Sequence, residues 1–136
     1  MNIAEVRREI GAALATIVDL NINTDATGTV SAPAAIVGLP SEVVYDGTYR
    51  RGMDKATVPV LLLLARPYES DTGDAMGDYL SGAGPRSVKQ AVEAGTYRAC
   101  DTVVVTRAGM DIVTVGGIDY LSAEFDLDVA GSGLGS

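Results

Sequence analysis

The chain has 136 residues, a formal charge of −8, ten Lys and Arg against eighteen Asp and Glu, and no histidine. That composition excludes Ser-His-Asp and Cys-His catalysis and histidine-ligated metal, and the lone cysteine, Cys100, excludes an intrachain disulfide or a Cys-cluster zinc site. The acidic balance argues against a basic nucleic-acid-binding face, while 47% hydrophobic residues are enough for a core in a single domain.

Residues 1–20 carry Glu5, Arg7, Arg8 and Glu9 where a signal peptide needs an apolar run. The longest apolar run, residues 58–65, is far short of the ~20 that cross a bilayer, so a soluble chain without membrane contact is expected. Ile3, Val6, Ile10, Ala13, Leu14, Ile17 and Val18 recur at three- and four-residue steps and predict an amphipathic helix. Asn2 and Glu5 have capping-box spacing at its start, and Asn21 and Asn23 suit its exit into a polar loop over residues 21–31.

Residues 34–38 (AAIVG), bounded by Pro33 and Pro40, read as a strand. Residues 41–54 hold a hairpin expected around Asp46-Gly47, a dipeptide that accepts the positive φ of a type I′ turn. Residues 57–65 (TVPVLLLLA) are too apolar for a solvated face and predict a strand covered on both sides, with Pro59 placing its start at an edge or bulge.

After Arg66-Pro67, a helix is expected from Asp71 to Leu80 with Met76, Tyr79 and Leu80 on one side. The SGAG of residues 81–84 breaks it, Pro85 suits the first turn of a second helix over 86–94, and Gly95 ends that helix. The last third reads as a three-strand meander: strands at 102–106 and 111–115 around a turn at residues 107–110, a second turn at Gly116-Gly117, then a strand over 118–129. In that last strand Leu121, Ala123, Phe125, Leu127 and Val129 alternate with Ser122, Glu124, Asp126 and Asp128, giving one buried and one wet, anionic face. Ile118 and Tyr120 are out of phase, so a bulge is expected near Tyr120-Leu121. The expected class is α+β: a mostly antiparallel sheet with the N-terminal helix and the helix pair on one side, one domain over 1–130 and a flexible tail over 131–136.

Chemistry-bearing constellations are few. Cys100 has Arg98 nearby, which a reactive thiolate would need, but its position opening an apolar strand also suits a small buried side chain. Asp71, Asp74 and Asp78 share a helical face yet lack the loop spacing of a calcium site. Neither phosphate-binding glycine motif is present, and no catalytic, cofactor-binding or metal-binding residue is assigned. Residues 45–53 (YDGTYRRGM) do gather Tyr45, Tyr49, Arg50, Arg51 and Met53, side chains typical of protein interfaces, although the same composition fits an ordinary hairpin tip. Charge is uneven: residues 1–70 hold eight acids and six bases, residues 71–136 ten acids and four bases.

The order of segments carries one further reading. An early amphipathic helix (IAEVRREIGAALATIV), a Pro-bounded strand (APAAIVGLP), an apolar strand running into Arg-Pro (VPVLLLLARP), an acidic helix start and a final strand ending FDLDV resemble the tail terminator proteins of long-tailed phages, particularly those of actinobacterial hosts. The resemblance spans about residues 3–130 and is one of order and texture, since the family has no signature motif. It implies a non-enzymatic virion protein at the head–tail junction, assembled in the host cytoplasm as a homo-hexameric ring. Such a ring caps the tail tube, stops its polymerisation and presents a docking surface to the head-side connector or stopper protein, with DNA passing through the lumen unbound. Charge then makes Glu124, Asp126 and Asp128 candidates for the lumen, and composition makes the 45–53 segment a candidate subunit or tube contact. Another neck component, or a monomeric ligand-binding α+β domain, is the alternative.

Overall fold

In the computed structural model, the structure describes residues 2–23, 32–45 and 53–132. The elements are α1 (Ile3–Leu14), β1 (Asn21–Asn23), β2 (Ala34–Val37), β3 (Val43–Val44), β4 (Met53–Ala65), α2 (Ser70–Leu80), α3 (Val88–Glu93), β5 (Thr102–Val115) and β6 (Ile118–Ser132). The six strands form one sheet in the order β1-β2-β4-β6-β5, with β3 also on β4, and every pairing except parallel β1–β2 is antiparallel. The fold is therefore α+β, with one helix at the start and a pair in the middle. No helix among the described residues is long and apolar enough to cross a membrane.

All three helices cover the same face of the sheet. α1 begins at Asn2, whose Oδ1 accepts the Glu5 N–H at 3.2 Å, and sends Val6, Ile10 and Leu14 into the core. Met76 and Tyr79 of α2 and Val88 and Val92 of α3 join them over Val58, Val60, Leu62, Phe125, Leu127 and Val129 of β4 and β6. Each fully buried Val or Leu contributes roughly 1.5–3 kcal/mol by leaving water, so this layer holds most of the fold's stability.

Long β4 is the spine. β6 pairs along its whole length, while β2 takes Val60 to Leu63 and β3 takes Lys55 and Ala56 on its other edge. Pro59 lies between those two short partners, well inside the strand and not at its start. Its carbonyl accepts the Gly38 N–H at 2.8 Å on that side, so the donor that proline lacks falls in the gap where no ladder needs it. Gly38 is required by the same close approach: a Cβ there would sit 2.9 Å from Pro59 Cγ.

The meander is replaced by a single long hairpin. Residues 107–110, expected as a turn, continue β5 without a break, and only Gly116 (φ 61°) and Gly117 (φ 80°) turn the chain, with the two positive φ values of a type I′ turn. Gly109 does not turn; it leaves open space on a strand. The bulge lies between Val105 and Arg107 of β5, not at Tyr120-Leu121 of β6, which stays in register throughout. Tyr120 is out of phase with Leu121 because it is buried on the opposite face, in a second apolar cluster with Ala34, Ile36 and Leu63.

Smaller expectations also shift. Asn21–Asn23 is an edge strand rather than a helix exit, and Val18 is 71% exposed, off the buried stripe. α3 is capped by Ser87, whose Oγ accepts the Gln90 N–H at 3.1 Å, two residues beyond Pro85. Gly84 (φ 120°) bends the chain between the helices, whereas Gly95 serves a close approach, since a Cβ there would lie 2.8 Å from Ala13 Cβ. Val43 and Val44 pair with Ala56 and Lys55, and the hairpin expected around Asp46-Gly47 lies outside the described residues. β6 continues through Gly131 and Ser132, which pair with Asp54 and Met53, so the fold runs two residues into the segment expected as a tail; residues 133–136 lie outside the described residues.

Candidate interaction surface

The face away from the helices carries the three acidic candidates of β6. Glu124, Asp126 and Asp128 alternate with the buried Phe125 and Leu127, so all three project from β6 on this side. The arrangement follows from period-two geometry on a strand paired on both edges. Glu124 and Asp128 are exposed, whereas Asp126 is engaged by Arg107, whose Nε lies 3.2 Å from its Oδ2. Asp128 Oδ1 accepts the Thr57 hydroxyl at 3.3 Å. The β5 bulge makes the Asp126 pairing possible: it re-phases the strand so that Arg107, not Thr106, stands opposite Asp126, while Thr106 Oγ1 donates to the Asp126 carbonyl at 3.1 Å.

This face is not uniformly anionic. Near the Gly116-Gly117 turn it carries the cluster of Ala34, Ile36, Leu63 and Tyr120, edged by Leu61, Val113 and Val115. At the other end lies a cleft of about 490 Å³, bordered by Glu42, Val44, Lys55, Thr57, Val104 and Asp128. Val44 and Val104 are 46% and 47% exposed there. No local pattern marks Glu42 or Val104: Val104 stands opposite Asp128 by register, and Glu42, one residue before β3, borders the same cleft.

Of the 45–53 candidates, Tyr45 is 74% exposed after β3 and Met53 is partly buried at the start of β4. Tyr49, Arg50 and Arg51 lie outside the described residues.

The remaining constellations are placed without forming a reactive centre. Cys100 is buried, and burial, with Glu9 and Asp101 adding to it, pushes its thiol up to about 11. Arg98 does not activate it; the Arg98 and Ala99 N–H groups instead donate to the Glu9 carboxylate at 2.7 Å each, fastening α1 to the chain that enters β5. Burial likewise raises the Tyr97 phenol, whose hydroxyl donates to the Val92 carbonyl at 2.6 Å. Asp71, Asp74 and Asp78 are exposed on α2, and among the described residues no group of three carboxylate or thiol side chains is arranged to hold a metal ion.

The free edge of β5 is modified by carboxylates. Glu93 of α3 accepts the Val105 N–H at 3.0 Å while holding Lys89 at 2.6 Å, and Asp111 accepts the Ile112 N–H at 2.8 Å. Edge donors satisfied in this way are poor templates for another strand. No protein-family model matches the chain, and no curated protein sequence matches it.

Proposed function

We propose that this chain is a structural protein of a long-tailed phage virion, a tail terminator that works by shape and assembly rather than by catalysis. Six copies form a ring at the head–tail junction that caps the tail tube, halts its polymerisation and receives the head-side connector. The observation that carries the reading is the two-sided sheet: helices pack on one face, and on the other Glu124, Asp126 and Asp128 stand in file beside a smaller apolar cluster. The order of the segments, from capped amphipathic helix to long acidic last strand, supports it.

In the ring, the acidic file lines the passage, where carboxylates repel DNA phosphates and let the duplex slide without being held. The 45–53 segment contacts a neighbouring subunit or the tube. Negative-stain micrographs and mass photometry of the purified chain test the assembly: six-fold rings are expected, and their addition should stop elongation of tail tubes. A chain that stays monomeric at micromolar concentration, with or without tubes, overturns the proposal. Rings that leave tube growth unaffected point to a different neck component. For the lumen, Glu124→Lys combined with Asp126→Lys should make the ring retain DNA in a salt-dependent manner.

A further inference from the structure

Two features at opposite ends of β4 complement one another. Where β4 ends, Arg66 adopts φ 58°, a left-handed conformation that glycine takes far more readily. This chain has 16 glycines, yet places an arginine here. Non-glycine residues held in such conformations concentrate at functional positions. The Arg66 side chain is 77% exposed and reaches Glu69 only at 3.9 Å, and Tyr68 beside it is 79% exposed. The turn thus holds a guanidinium and an aromatic ring in water, the two side chains that most often anchor protein contacts.

The 490 Å³ cleft lies at the other end of the sheet. Val44 and Val104 offer apolar surface to a ring, and Glu42 and Asp128 offer carboxylates to a guanidinium. Lys55 on the same wall balances one of those two acids, which leaves a net single negative charge to be met.

We propose that the turn at residues 66–68 of one copy seats in the Glu42–Asp128 cleft of the next, with Arg66 between the carboxylates and Tyr68 against one of the valines. A guanidinium beside an aromatic ring complements a cleft with two carboxylates and two valines. The carboxylates on the Val105 and Ile112 N–H groups also disfavour the competing arrangement, pairing along the β5 edge. Because turn and cleft are different surfaces, the contact is head-to-tail, the kind that closes into a ring or runs on as a filament. The inference rests on the ring proposed above, and within it Asp128 moves from the passage to the seam, leaving Glu124 and Asp126 to face DNA.

Mass photometry of the full chain and two charge-reversed variants tests it. Arg66→Glu alone, and Glu42→Lys with Asp128→Lys, should each weaken assembly about tenfold or more. Mixed in equal amounts they should assemble again, because alternating copies meet either the native or the reversed pair at every contact. Arg66→Gly provides the folding control: glycine accepts the left-handed φ, so at a dilution where parent and variant are both monomeric its Tm should match or exceed that of the parent, while assembly at higher concentration still falls. Parent rings that persist in all three variants overturn this contact and leave the ring standing. Recovery failing in the mixture, with each variant folded, also overturns it. A parent chain that never assembles overturns the ring and this contact together.

Discussion

The two faces of β6 meet opposite surroundings. Phe125, Leu127 and Val129 lie at most 2% exposed under the helices, while Glu124 and Asp128, their immediate neighbours in the chain, stand in solvent. One backbone supplies both faces, so the difference arises from what lies across the sheet. The helix layer provides close-packed partners whose loss is felt directly. The open face carries charges held by single contacts, free to be specified by a partner rather than by folding.

The largest way to test that contrast is Leu127→Ala. Leu127 is completely buried between β4, β5 and the helices, and truncating it should cost about 3 kcal/mol in chemical denaturation. A loss nearer about 2 kcal/mol would mean that the helix layer collapses into the space, leaving the transfer term alone. Gly95→Ala probes the same layer by overpacking. Its new Cβ would meet Ala13 Cβ at 2.8 Å, and a destabilisation of about 1–3 kcal/mol is expected, read as a lowered denaturation midpoint.

A pH series probes the junction between helix layer and sheet edge. The Lys89 ion pair and the Val105 N–H hold the Glu93 carboxyl below its ordinary 4.5. A depressed value means that the folded state favours the charged form. Its contribution is therefore complete above the ordinary value and is lost as pH falls through the folded one. Glu93→Gln should flatten the decline in stability below about pH 4.5. Because the carboxylate is largely solvated, the effect is small. The smallest effect is expected on the open face, where Glu124→Ala should change stability by no more than about 0.5 kcal/mol. A larger change would show that this face contributes to folding as well as to assembly.

The candidate surface was only partly legible. Period-two alternation from Leu121 to Val129 placed Glu124, Asp126 and Asp128 on one face, because that pattern is a property of the strand alone. The partners were invisible. Arg107 reaches Asp126 only because a bulge re-phases β5, and Glu42 and Val104 share a cleft only because separate strands align in register. Gly109 misled in the same region: a glycine in a predicted turn and a glycine in an open strand look alike until the long pairing of β5 with β6 decides between them.

By itself, the sequence determined what depends on neighbours a few residues apart: the Asn2-capped amphipathic helix, the acidic-start helix ending at Leu80, the Gly116-Gly117 turn and the α+β class. Tertiary structure decided what depends on residues far apart. It put Pro59 in mid-strand, where two short partners leave a gap, and buried Tyr120 on the face opposite Phe125. It also drew Asn21–Asn23 into the sheet edge beside β2. Local periodicity records which way a side chain points, but only the pairing of distant strands decides what that side chain meets.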